Sequence, residues 1–157
     1  MEELELKSVI KVCQMEELTP EERHLIELAI EATSRSYAPY SKFHVGAAVR
    51  LDNGVELIGC NQENAAYPSG LCAERTALFS AGAQYPDVPV RMLSIAARGT
   101  DGELMEEPVG PCGSCRQVII ESETRAKAPI RILLYGRKYI YVIDGIRELM
   151  PLTFSEF

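Results

Sequence analysis

The sequence has no long apolar run, and this absence limits the kinds of protein it can be. A helix that crosses a bilayer needs roughly 20 consecutive apolar residues, and no segment of the 157 residues approaches that length. Residues 1–5 are acidic and lack the apolar stretch of a signal peptide. We therefore expect a cytoplasmic protein with no membrane partner.

Concentrated positive charge is also missing. The 16 basic residues are outnumbered by 23 acidic ones, which gives a formal net charge of −7, and no run rich in Lys and Arg stands out. The basic cluster at 131–138 is interrupted by apolar residues, as is typical of charges that border a strand. Because polynucleotide binding depends on attraction to phosphates, this balance favours a small neutral substrate over nucleic acid.

The cysteines are too few, and odd in number, to form a disulfide framework. There are five, and in a reducing compartment such residues serve as metal ligands or core residues. We expect Cys13 and Cys60 to be buried, and His24 and His44 to be structural or surface residues. The other three cysteines remain as candidate ligands.

These three cysteines stand at the starts of two predicted helices. Cys72 begins Cys-Ala-Glu-Arg, and Cys112 and Cys115 follow a proline in Pro-Cys-Gly-Ser-Cys. Thiolates suit zinc, and a helix N-terminus helps to keep them deprotonated. Three protein ligands leave the fourth zinc position open, as in catalytic sites. Glu74 is then placed as a proton carrier, which a redox Cys-x-x-Cys pair would not need, although redox and structural zinc proteins also use such pairs.

Local patterns predict one domain of alternating helices and strands. A cap, a proline and a capping-box glutamate at 19–22 predict a helix that ends near 37–39. The turn residues at 52–54 predict an antiparallel hairpin of strands 43–51 and 55–60. The other predicted elements are a helix at 72–81 stopped by Gly82, a strand at 91–97, a helix at 112–123, strands at 130–135 and 139–143, and a short helix capped by Asp144 before Pro151.

The last two predicted strands are separated by only three residues, 136–138. A parallel pair needs a crossover of about a dozen residues or more. These strands should therefore be antiparallel. Residues 4–10 show a weaker alternation that is consistent with a further strand.

The motifs, taken in order, resemble the small homotetrameric zinc-dependent cytidine deaminases of the cytidine and deoxycytidylate deaminase superfamily. Cys-Ala-Glu followed by Pro-Cys-x-x-Cys is the three-cysteine form of the zinc nucleobase deaminase signature. The resemblance extends to residues 39–48, 59–67 and 72–77. It implies a single deaminase domain at 19–157, with residues 1–18 as an N-terminal extension. The implied fold is a three-layer α/β/α structure with a mixed sheet of about five strands, the last two antiparallel, as in the free-nucleoside branch.

The activity implied by this resemblance is hydrolytic deamination of cytidine and deoxycytidine to uridine and deoxyuridine plus ammonia, a reaction of pyrimidine salvage. One zinc ion per chain would be held by Cys72, Cys112 and Cys115, and would activate the water that attacks C4 of cytosine. Glu74 matches the residue that carries the protons. Arg75 resembles an arginine that hydrogen-bonds the ligand sulfurs and offsets their negative charge.

Substrate contacts are implied in the same way. Asn61 and Glu63 match side chains that bind the ribose 3′-hydroxyl, and Phe43 resembles an aromatic residue that packs on the pyrimidine. The backbone N–H of Ala73 resembles a contact to the base, and Tyr67 resembles a pocket or subunit-contact residue. Because the 3′-hydroxyl is common to both nucleosides, these contacts do not rank cytidine against deoxycytidine.

The C-terminal segment at 151–154 resembles one that enters a neighbouring subunit. Phe154 would then complete an active site shared between chains of a homotetramer, with Phe157 as the other aromatic residue in reach. Two other functions remain open. One is deamination of a cytosine-containing antibiotic such as blasticidin S. The other is a structural zinc module in which Cys60 or a histidine supplies the fourth ligand.

Overall fold

A six-stranded mixed sheet forms the middle layer of the protein, whose computed structural model describes residues 1–155. One helix covers one face, and two helices cover the other, which confirms the predicted three-layer α/β/α architecture. Phe157 lies outside the described residues. The elements in chain order are β1 (Lys11–Cys13), α1 (Pro20–Ala32), β2 (His44–Leu51), β3 (Glu56–Cys60), α2 (Ala73–Gln84), β4 (Val90–Arg98), α3 (Gly113–Ala126), β5 (Arg131–Tyr135) and β6 (Ile140–Asp144).

The strand order in the sheet is β1-β6-β5-β4-β2-β3. Strands β4 and β5 are parallel and are joined through α3, whereas every other neighbouring pair is antiparallel. The predicted antiparallel pairing of the last two strands is confirmed, with Leu133 opposite Val142. Because β4 and β5 are parallel, the helix that joins them must run back across the sheet. α3 therefore begins on the side of the sheet where β4 ends and β2 starts.

The sheet has one strand more than the predicted five, and the extra strand comes from the N-terminal extension. β1 pairs along the outer edge of β6, with Val12 opposite Tyr141. The weak alternation at 4–10 predicted a strand somewhat too early in the chain. The ladder with β6 begins only at Lys11, whereas the backbone N–H of Val9 donates to the Glu148 side chain and Leu4 stays exposed.

Two predicted helix boundaries need correction. The first helix begins as predicted, with Thr19 accepting from the backbone of Glu22 in a capping box, but it ends at Ala32 and not near 37–39. The second helix passes through Gly82 to Gln84, so the prediction that Gly82 stops it is wrong. Gly82 is not in the left-handed conformation that ends helices.

The predicted cap at Asp144 is also wrong. Asp144 is the last residue of β6 and forms ion pairs with Lys11 and Arg131. Gly145, with φ of 117°, precedes a single 3-10 turn at Ile146–Glu148. A residue at this φ is strained unless it is glycine. Gly145, and not Asp144, therefore occupies the position that precedes the turn.

The main core lies between the sheet and the pair α2 and α3, and a second core lies under α1. The prediction that Cys13 and Cys60 are buried is wrong. Each is the last residue of its strand and is only half-buried. Within residues 1–155, none of the helices combines the length and apolar character that crossing a bilayer requires. The central buried side chains of the main core include Ala77, Leu93, Ile95, Ile119 and Ile132.

Gly59 in β3 sets how closely the sheet approaches α2. A Cβ added at Gly59 would lie 2.4 Å from the backbone nitrogen of Ala77 and 2.6 Å from the carbonyl oxygen of Ala73. Both atoms belong to backbone, which cannot move aside as a flexible side chain can. The absence of a side chain at Gly59 therefore fixes the first turn of α2 against the sheet.

We predict that Gly59→Ala destabilises the fold by about 1–3 kcal/mol or more, the usual range for overpacking. Urea unfolding measures this change. Gly82→Ala is the matched control, because nothing lies within 4 Å of its added Cβ and alanine is favoured in a helix. Equal stability of the two variants would contradict the proposed constraint on α2.

Candidate active site

Three cysteine sulfurs converge where α2 and α3 begin. Cys72 is the residue before α2, Cys112 is the residue before α3, and Cys115 lies in the first turn of α3. The Sγ atoms of Cys72 and Cys112 are 3.8 Å apart, and those of Cys112 and Cys115 are 3.5 Å apart. Cys115 is buried, Cys72 is half-buried and Cys112 is exposed, so the cluster has one open side.

This sulfur geometry fits zinc. With Zn–S bonds of about 2.3 Å, two ligands of a tetrahedral site lie about 3.8 Å apart, close to the two separations observed. All three sulfurs lie within 4.8 Å of one another, and within residues 1–155 no fourth His, Cys, Asp or Glu joins this group. A structural module closed by Cys60 or a histidine is therefore not supported by the described part of the chain. His24 instead lies against Glu56, and His44 contacts Ser36.

The helix ends and Arg75 both favour negative charge at the sulfurs. Each helix N-terminus carries partial positive charge, and the Arg75 guanidinium donates to the Cys72 sulfur at 3.6 Å. That hydrogen bond raises the pKa of Arg75. The Nε atom of Arg75 is buried and has no hydrogen-bond partner among residues 1–155. The contact with Cys72 places the Arg75 guanidinium beside the cluster, where its positive charge can offset that of a thiolate.

The pKa values of Cys72 and Cys115 are shifted in opposite directions by their interaction. Hydrogen bonding from Cys115, and then from Arg75, lowers the pKa of Cys72 to about 5. The same interaction, together with burial, raises the pKa of Cys115. Of these two sulfurs, that of Cys72 is therefore the one whose surroundings favour the thiolate.

Glu74 lies in the first turn of α2 with only 5% of its surface exposed. Burial is the main cause that raises the pKa of its carboxyl group, and the nearby Cys72 adds to the effect. A carboxyl group whose pKa is moved toward neutrality can both accept and return a proton. This placement suits the predicted role as a proton carrier.

A cavity of about 510 Å³ opens beside Cys72 and Arg75. The predicted residues Asn61, Glu63 and Tyr67 line it, whereas Phe43, Ala73 and Glu74 are not among its lining residues. Ala73 is buried, and its backbone N–H is one of the first in α2, where no intrahelical acceptor is available. The remaining lining residues, to which the sequence assigned no role, are Tyr40, Ser41, Gln62, Asn64, Gly70 and Leu71.

The side chain of Asn61 connects the end of β3 to the start of β2. Its Oδ1 accepts from the backbone N–H of Val45 at 2.8 Å, and its Nδ2 donates to the carbonyl of Phe43 at 2.9 Å. A carboxamide has two N–H donors and a second acceptor lone pair, so capacity for a ligand remains. Asn61 thereby also places half-buried Phe43 at the entrance to β2.

Glu63 is held by the loop that precedes β2. Its Oε2 accepts from the backbone N–H groups of Tyr40 at 2.9 Å and Ser41 at 3.2 Å, and its Oε1 accepts from the Ser41 hydroxyl. The hydroxyl hydrogen bond is the main cause that lowers the pKa of Glu63. Sequence reasoning missed Ser41, because a serine beside proline and tyrosine looks like any polar loop residue.

Two aromatic residues of the predicted site are exposed. Tyr67 is 76% exposed and meets Tyr40 edge to face, with ring centroids 6.0 Å apart. Phe154 is 67% exposed and does not line the cavity. Its carbonyl accepts from Gln117 at 2.8 Å, two residues beyond Cys115. The C-terminal segment is therefore tied to the helix that carries two of the sulfurs.

Comparison with known proteins shows which family this chain resembles. A family model described as the cytidine and deoxycytidylate deaminase zinc-binding region matches residues 19–128. A cytidine deaminase of Sporosarcina psychrophila is 46% identical over 132 residues, which are 84% of this chain and 90% of that protein. The crystal structure of a cytidine deaminase from Burkholderia pseudomallei is 37% identical with a TM-score of 0.73, covering 87% of this chain and 100% of that one.

A second solved structure, a cytidine deaminase from Mycobacterium tuberculosis, is 28% identical with a TM-score of 0.66, covering 85% of this chain and 96% of that one. The family match includes all three cysteines and both helix starts. The chain therefore belongs to the family of the cytidine and deoxycytidylate deaminase zinc-binding region.

Proposed function

We propose that this protein hydrolyses cytidine and deoxycytidine to uridine and deoxyuridine, with release of ammonia. The observation that carries the proposal is a cluster of three cysteine sulfurs, one of which, that of Cys72, belongs to a residue that lines the same cavity as Asn61 and Glu63. The cytidine deaminases to which the chain is similar support cytidine as substrate. We place this activity in a single domain at residues 19–157.

The ligand set assigns zinc to Cys72, Cys112 and Cys115, with Arg75 offsetting part of the thiolate charge. When bound, zinc lowers the pKa of a water molecule and so supplies a nucleophile at neutral pH. Three thiolates weaken that effect by their charge, and the Arg75 guanidinium together with the two helix N-termini opposes the weakening.

Glu74 moves the protons. Its carboxylate takes one proton from the attacking water and delivers it to N3 of the pyrimidine, where it remains in the product. As the new C4–O bond forms and the C4–N bond breaks, Glu74 passes the second water proton to the departing amine, which leaves as ammonia. The buried position of Glu74 excludes competing proton exchange with solvent.

The nucleoside is oriented from two sides. Glu63 accepts a hydrogen bond from the sugar 3′-hydroxyl, and the Asn61 amide donates one to it. The backbone N–H of Ala73 contacts the base. Phe43 packs against the pyrimidine from the start of β2, and Tyr67 closes the rim of the cavity. The sugar contacts argue against an antibiotic such as blasticidin S, whose sugar differs from ribose.

We further propose that the active protein is a homotetramer with shared sites. The cavity is open on one side in the single chain, and Phe154 points outward from a segment anchored to α3 through Gln117. Arg116 donates to the carbonyl of Leu149 at 2.6 Å and anchors the same segment earlier. Phe154 would then cover the pyrimidine bound to a neighbouring chain.

The substrate class is tested by an ultraviolet assay on cytidine, deoxycytidine, cytosine and blasticidin S, together with zinc analysis. We expect about one zinc per chain and turnover of the two nucleosides, lost on chelation and restored by zinc. Turnover of blasticidin S alone would make the protein an antibiotic deaminase. Stoichiometric zinc without turnover of any of the four compounds would point to a structural module.

We predict that Glu74→Gln loses activity by roughly 10²- to 10⁴-fold, the usual worth of general acid–base catalysis, while it keeps its zinc. The amide fills the same space but does not relay protons.

Cys112→Ala should instead lose zinc, because one of three protein ligands is removed. The measurements are steady-state kinetics and metal content of the purified variants.

Two conservative variants serve as controls. Glu121→Gln removes an exposed carboxylate from α3, and Cys13→Ala removes a cysteine outside the cluster. Both should keep wild-type activity and zinc. Near-normal turnover by Glu74→Gln would contradict its role, and full zinc occupancy in Cys112→Ala would contradict the ligand assignment.

We predict that Phe154→Ala and Glu74→Gln subunits complement each other when they are refolded together. If Phe154 acts on a neighbouring chain, random mixing of equal amounts restores about a quarter of the sites in a symmetric assembly. Mixing Glu74→Gln with Cys112→Ala should restore nothing, because both residues belong to the same chain's site. No recovery after confirmed subunit exchange would place Phe154 outside the neighbour's site.

A further inference from the structure

The loop at 40–43 wraps around the carboxylate of Glu63. Two backbone N–H groups, from Tyr40 and Ser41, donate to Oε2, and the Ser41 hydroxyl donates to Oε1. All of these groups lie on the wall of the cavity beside Cys72. The loop thus supplies a donor to each oxygen of the side chain that we assign to the sugar.

The Ser41 hydroxyl has a second contact, with Phe43, the residue that we assign to the pyrimidine. Its Oγ accepts from the backbone N–H of Phe43 at 3.0 Å. Lys42, between them, has φ of 56°, and its N–H donates to the carbonyl of Ala38 at 3.1 Å. The Ser41 hydroxyl therefore connects Glu63, which we assign to the sugar, with Phe43, which we assign to the pyrimidine and which directly precedes β2.

The two oxygens of Glu63 are held in different ways. Backbone donors would hold Oε2 whatever residue stood at position 41. A carboxylate held at one oxygen can still turn, because the last torsion of a glutamate side chain is broad. The donor at Oε1 is supplied by a side chain alone, so the direction of the remaining acceptor lone pairs depends on the Ser41 hydroxyl.

We propose that Ser41 is a positioning residue, which orients Glu63 to accept the sugar 3′-hydroxyl and so favours nucleosides that carry this hydroxyl. The inference rests on the proposed function, since it concerns the same cavity. Ser41 need not touch the substrate. Its effect reaches the sugar through Glu63. A change at Ser41 should therefore alter KM more than kcat, because the chemical step takes place at Glu74.

The test compares cytidine with 3′-deoxycytidine, which lacks only the hydroxyl concerned. Ser41→Ala should raise the KM for cytidine about 5- to 10-fold, within the range expected for the loss of one hydrogen bond, and leave kcat within about twofold. The kinetics on 3′-deoxycytidine should change by less than about twofold. Ser41→Thr keeps the hydroxyl and should restore the KM for cytidine.

A second variant background makes the result specific. In Glu63→Ala protein, adding Ser41→Ala should cause no further loss, because the group being oriented is absent. Thermal unfolding and zinc content of each variant establish that the fold and the metal site are intact.

Three outcomes would overturn the inference. An equal loss on both nucleosides would mean that Ser41 acts through Phe43 or the loop fold. A full additional loss in the Glu63→Ala background, or an unchanged KM in Ser41→Ala, would separate Ser41 from Glu63. Failure of the proposed function looks different, because zinc-loaded wild-type protein would then deaminate neither nucleoside, and the role of Ser41 would fail with it.

Discussion

The close approach of two helix N-termini is the constraint on which the site depends. Cys72 and Cys112 stand directly before α2 and α3, and their sulfurs meet 3.8 Å apart at the positive ends of both helices. The sheet makes this meeting possible, because α3 connects the parallel pair β4 and β5 while Gly59 lets α2 lie directly on β3. Without such helix ends and the nearby guanidinium of Arg75, a cluster of thiolates would be electrostatically costly.

The pKa values of the two carboxyl groups of the site are shifted in opposite directions by their surroundings. Glu74 is buried beside Cys72, so its pKa is raised, whereas Glu63 accepts from Ser41 and from backbone N–H groups, so its pKa is lowered. A side chain that must exchange protons benefits from the first environment. One that must remain an ionised acceptor benefits from the second. These opposite environments agree with the roles that we propose, catalysis for Glu74 and recognition of the sugar for Glu63.

The N-terminal extension completes the sheet at its far edge. An exposed strand edge presents unpaired backbone groups that can recruit other chains, and β1 covers part of this edge on β6. Gln14 adds a hydrogen bond to the carbonyl of Lys138 at 3.0 Å. The extension is distant from α2 in the sheet order, so its contribution concerns the scaffold and not the chemistry.

The amino-acid sequence alone predicted the cysteine cluster, proposed Glu74 as the proton carrier and gave most of the elements. Cys72 and Cys112 could be singled out because metal ligation restricts residue type and spacing, and the four residues between β5 and β6 allow only an antiparallel pair. The tertiary structure decided what depends on distant partners. β1 forms only where β6 offers an edge, and α2 continues through Gly82 to Gln84. The role that we propose for Ser41 depends on folding, which brings Glu63, 22 positions later, against its hydroxyl. Such contacts leave no periodic signal in the sequence, since hydrogen bonds between loops depend on where the strands place them.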